Sequence, residues 1–75
     1  MKIYVTFGQE HKHYVNGKVF DKDCVAVIES QDAALGRKVA FEVFDGVFAT
    51  TYREDQFTPE ILKYFPRGLI SLEGS

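Results

Sequence analysis

The stretch Tyr4–Glu29, YVTFGQEHKHYVNGKVFDKDCVAVIE, decides the fold of this 75-residue chain, because it sets Asn16-Gly17 between two apolar, β-branched runs. A type I′ turn needs φ > 0 at both central residues, and Asn-Gly is the strongest short-range signal for it. With that turn as centre, Val15 is expected opposite Lys18, His13 opposite Phe20 and His11 opposite Lys22. Further out come Gln9 with Cys24, Phe7 with Ala26, and Val5 with Ile28. Alternation along the strands then collects Ile3, Val5, Phe7, Cys24, Ala26 and Ile28 on one face, the core face. Tyr4, Thr6, Gly8, Val25, Val27 and Glu29 fall on the other.

Past Gly8 the ribbon becomes polar. Lys12 would meet Asp21, a favourable cross-strand pair, whereas Glu10 would meet Asp23, a repulsive one. Unbroken strands of about twelve residues would run ~40 Å, longer than the ~30 Å expected of a domain with a radius of gyration of about 11 Å. The ribbon is therefore expected to bend near Gly8–Glu10 and Asp21–Asp23, or to project its tip. Either outcome places His11 and His13 at the margin of the core.

Downstream, Ser30 is a suitable N-cap for a helix over Gln31–Asp45, with Asp32 at its positive end and Gly46 as C′ residue. Leu35, Val39, Ala40, Val43 and Phe44 should lie on the sheet, and Gly36 permits close approach. Val47–Tyr52 reads as a third strand. Thr58-Pro59 opens a short helix, with Phe57 placed to staple onto Leu62, and Pro66 closes it. Leu69–Leu72 completes the order. The expectation is an α+β domain over residues 1–73, a mostly antiparallel four-stranded sheet with one long helix on one face, and a disordered tail at 74–75.

Composition narrows the function classes. A formal charge of -2 argues against general DNA or RNA binding, which needs a basic surface. The one cysteine cannot form an internal disulfide and suits a reducing cytoplasm. No apolar run approaches a membrane span, and no signal-peptide pattern is present. Seven Phe and four Tyr help a short chain build a core, yet its small size makes a homo-oligomer a reasonable source of further burial.

The chemistry-bearing residues admit several readings. His11-x-His13 could chelate a metal with Cys24, Asp21 or Asp23, but the ligand set is incomplete. Cys24 as nucleophile would need a lowered thiol pKa, and a small buried residue is the simpler reading. In Tyr64-Phe65-Pro66-Arg67, the ring could stack on a base and the guanidinium could fork onto phosphate. There is no phosphate-loop motif, and nothing calls for a cofactor.

YVTFGQ, the H-x-H, VNGKVFDKDCVAVIE and the closing YFPRGLI together resemble a family of very short phage-encoded proteins, and the likeness covers nearly the whole chain. The resemblance implies a phage protein in the host cytoplasm that counters bacterial defence. One mode it implies is the sponge, a homo-oligomer that sequesters a cyclic nucleotide messenger without hydrolysing it. In that mode Gln9 would read a base edge, His11, His13 and Lys18 or Lys12 would meet phosphates, Tyr64 would stack, and Arg67 would pair with phosphate. The alternatives are a protein-binding inhibitor of a host defence complex, of anti-CRISPR or anti-restriction type, and a metal-dependent nuclease or phosphodiesterase.

Overall fold

The computed structural model describes residues 1–15 and 17–72. Its elements are β1 (Lys2–Thr6), β2 (His13–Val15), β3 (Lys18–Phe20), β4 (Cys24–Glu29), α1 (Ala33–Phe44), β5 (Thr50–Arg53), a 3-10 helix (Pro59–Tyr64) and β6 (Gly68–Ser71). The class is α+β. The main sheet has the order β5-β1-β4-β6, and β2 and β3 form a separate two-stranded ribbon.

The hairpin forms about the expected turn: Val15 pairs with Lys18 and His13 with Phe20. Gly17 has φ 76°, whereas Asn16 lies outside the described residues. In the body of the sheet the pairing differs from expectation. Val5 faces Ala26 and Ile3 faces Ile28, a displacement of two residues. The first strand uses 7–12 on the bend, with a Gly8 O to His11 N–H turn of 3.0 Å, while the second uses only 21–23. Because the displacement is even, side-chain parity survives it. Ile3, Val5, Phe7, Cys24, Ala26 and Ile28 are therefore all buried, as the alternation required.

The bend turns the ribbon back over the core. Phe20 is fully buried against Phe44, ring centroids 5.5 Å apart, and the molecule measures 27 × 26 × 23 Å with a radius of gyration of 11.1 Å. The expected Lys12–Asp21 pair does not form, because the ladder is interrupted there. Lys12 Nζ lies 5.6 Å from the Tyr14 ring centroid, and Asp21 instead meets Arg67.

Helix α1 starts two residues later than the sequence suggests. Ser30 extends the sheet by donating its N–H to Met1 O (2.9 Å), so Asp32 becomes the N-cap and accepts from the Leu35 N–H at 2.8 Å. The buried stripe is Gly36, Ala40 and Phe44, and Leu35 is exposed instead of lying on the sheet. A Cβ on Gly36 would collide with Ile3 Cγ1, so the missing side chain lets helix and sheet touch.

The sheet is mixed: two of its three pairings are antiparallel, as the sequence suggests, and the third is not. β6 runs parallel to β4, with Ala26 beside Ile70. Parallel neighbours need a crossover of about a dozen residues or more, and residues 54–67 supply one. It starts at the β5 edge, passes over the face opposite α1, where Phe57 stacks on Tyr4 at 4.2 Å, and reaches the β4 edge. Thr6 and Val25 are buried on this second face. The tail at 74–75 lies outside the described residues. Among the described residues no helix is long and apolar enough to cross a membrane.

Candidate functional site: a two-arginine groove beside an edge strand

The residues singled out from sequence are distributed around the folded hairpin, and most are engaged within the chain. His13 packs between Phe7 and Phe44, with centroids at 5.7 and 4.9 Å, and its Nε2 lies 2.7 Å from Val47 O. A ring nitrogen facing a carbonyl oxygen at that distance is the N–H donor, which places the His13 proton on Nε2. His11 turns inward over the bend, where its Nδ1 accepts the Gly8 N–H at 2.8 Å. Each imidazole thus serves a separate backbone contact. Among the described residues no three His, Cys, Asp or Glu side chains are gathered to hold a metal ion.

Arg67 and Lys18 pin the ribbon to β6. Arg67 Nη1 donates to Val19 O at 2.9 Å and lies 3.2 Å from Asp21 Oδ1, and Lys18 Nζ donates to Ser71 O at 2.8 Å. Partial burial works to raise the Asp21 carboxyl, but the Asp23 N–H, the Arg67 guanidinium and the Lys22 charge outweigh it and hold it below its ordinary value. Gln9, Lys12 and Tyr64 are exposed, Tyr64 by 78%. Cys24 is fully buried, its Sγ accepting the Asp21 N–H at 3.3 Å. Burial pushes its thiol up, away from the thiolate a nucleophile needs.

A concavity of about 450 Å3 opens elsewhere, between α1 and β5. Its floor is Ile3 and the strand Thr50–Arg53, its helix wall carries Arg37, and Gln56 closes one end. None of the seven residues anticipated from sequence lines it. Its volume falls in the range of small-ligand pockets, roughly 300–1,000 Å3. Arg37 has no ion-pair or hydrogen-bond partner among the described residues. Arg53 has only Asp55, at 3.6 Å with both side chains largely in solvent, a contact of little energetic weight. Gln56 Oε1 accepts the Arg53 N–H at 3.2 Å, which fixes the connection against the strand end. Two guanidiniums and the hydroxyl of Thr51, which shares the α1 face of the sheet with Val5, are a donor set suited to phosphate oxygens. A second concavity shares Arg53 but is lined by Glu54 and Asp55, which makes it poor for an anion.

Sequence reasoning passed over this groove, although one signal was present. Arg37 has Ala33, Ala34, Ala40 and Phe41 at its i±3 and i±4 positions, so no acid on its own helix can neutralise it. The arrangement that sets Arg37 and Arg53 around one concavity is tertiary and left no mark in the local pattern. No family model, curated protein or solved structure matches the chain.

Proposed function

We propose that this chain is a non-catalytic binding protein that sequesters a small phosphate-bearing ligand, of the cyclic nucleotide class, in the groove between α1 and β5. The observation that carries the reading is the Arg37 guanidinium, unpartnered among the described residues, at a polar concavity that Arg53 and Thr51 also line. The sequence resemblance to short phage proteins supports the same class of action, a sponge for an immune messenger. The groove offers donors and no evident general base, which suits retention of the ligand over its hydrolysis. A cyclic dinucleotide carries two base–phosphate halves, and a two-fold pair of chains presents one groove to each half.

Calorimetry against a panel of cyclic di- and trinucleotides, followed by recovery of the ligand from denatured protein, tests this reading. The expected result is saturable heat with at least one member and return of intact ligand. Arg37→Ala should weaken that binding by about tenfold or more, the scale of a lost charge-assisted hydrogen bond. Absence of heat across the panel, or return of a cleaved product, contradicts the proposal.

A second reading, an inhibitor of a host defence protein, is favoured by one different observation: β5 ends the sheet and, among the described residues, has no strand on its outer side. An unpaired edge of Thr, Thr, Tyr and Arg is suited to strand addition by another chain. Stoichiometric co-purification of one host protein, lost on Thr51→Pro, would favour it over sequestration.

A further inference from the structure

Beside the groove, where α1 ends and the chain turns back toward β5, stand two rings that are not among the residues lining it. They are Phe41 and Phe48, in edge-to-face contact with centroids 5.1 Å apart. Phe41 is 57% exposed and the adjoining Val47 is 42% exposed, an unusual position for large apolar side chains. The Phe41 ring is nevertheless held in place. Phe48 buttresses it, and Gly46 passes so close beneath that a Cβ there would lie 3.3 Å from Phe41 Cδ1. An exposed aromatic with a fixed orientation is a preorganised stacking surface.

Its position relative to the arginines gives the occupant. Phe41 and Arg37 are four residues apart on α1, hence on the same side and about 6 Å apart along the axis. On the strand side, Phe48 leads within two residues to Thr50 of the groove floor, and Arg53 follows ~10 Å further along β5. From the end of α1 along the groove the order is an apolar ring beside it, then the Thr51 hydroxyl and the guanidiniums within it. A ligand complementary to it has a flat apolar group at one end and an anion at the other, joined by a polar spacer, which describes a nucleotide.

We infer that Phe41 is the base-stacking platform of this groove, with Phe48 fixing its ring, so that the groove discriminates a nucleotide from a bare phosphate. The inference rests on the phosphate-binding reading above and adds the base to it. Base–aromatic stacking typically contributes enough that its removal costs about tenfold in affinity.

The chain contains no tryptophan, so Phe41→Trp introduces a single reporter at the platform. Titration of this variant should quench its emission with a cyclic dinucleotide and leave it unchanged with pyrophosphate. In parallel, Phe41→Ala should weaken cyclic dinucleotide binding about tenfold while leaving pyrophosphate affinity as in the parent chain, and Arg37→Ala should weaken both. Because Phe41 is mostly exposed, circular dichroism of the Ala variant should match the parent. Pyrophosphate binding that survives, with no quench and no loss in Phe41→Ala, overturns the platform and leaves the phosphate site standing. An equal loss of both ligands in Phe41→Ala also overturns it, by assigning Phe41 a general structural role. If the parent chain binds neither ligand, the inference falls together with the reading it rests on.

Discussion

Gly36 shows how one atom sets the distance between helix and sheet. By helix propensity alone, Gly36→Ala in α1 should stabilise the chain by about 1 kcal/mol. The added Cβ would run into Ile3 Cγ1 and lie 2.9 Å from Ser30 Oγ, and Ile3 is fully buried with little room to move. Overpacking of this kind costs about 1–3 kcal/mol, so the substitution should lower the urea midpoint, and a raised midpoint would contradict the packing described. Cys24 makes a second residue-scale prediction. Because burial raises its thiol, an alkylating reagent at neutral pH should label the protein slowly when native and rapidly in denaturant, as followed by mass spectrometry. Both residues were legible in the sequence, Gly36 as a point of close approach and Cys24 as a core residue. Arg37 was not, because its significance comes from Arg53, a neighbour only after folding.

The hairpin is the element on which sequence and structure diverge most instructively. Its turn, its core face and the place where it bends could all be read from Asn16-Gly17, from alternation and from the charged run at Glu10 and Asp21–Asp23. The two-residue displacement could not, because an even shift leaves every side chain on its own face and no hydrophobic signal distinguishes the registers. Ser30 and Asp32 present a similar degeneracy at the start of α1: both are good N-caps, and the sheet bond from Ser30 to Met1 decides between them. The distal ribbon is fastened by Arg67 to Val19 and Asp21, by Lys18 to Ser71, and by His13 to Val47. Arg67→Ala should therefore speed amide exchange across 13–20 and leave β1 and β4 protected. Acid should act in the same direction. Asp21 is held below its ordinary value, so its contribution is present above the unfolded-state pKa and lost as pH falls through the lower folded one. Exchange in the ribbon should accelerate selectively below about pH 3.9, and Asp21→Asn should remove that dependence.

At the scale of the molecule, the sheet has two unlike margins. The β6 side is bound by side-chain contacts to the folded-back ribbon, whereas the β5 side is open and borders the groove. A four-stranded α+β domain with a helix on one face was legible from the order of elements. The parallel β6 was not, because it depends on residues 54–67 crossing the sheet from the β5 edge to the β4 edge in place of a hairpin return, a tertiary route along which Phe57 stacks on Tyr4. The site expected from sequence lay at the bound margin, around His11, His13 and Arg67; the concavity lined by Arg37, unpartnered among the described residues, and by Arg53 lies at the open one. A residue-resolved NMR titration with a cyclic dinucleotide separates these two positions in one experiment. Saturable shifts are expected at Arg37, Phe41, Thr50–Arg53 and Gln56, with His11, His13, Tyr64 and Arg67 unmoved. Shifts confined to the second group, or none at all, would contradict the proposed site.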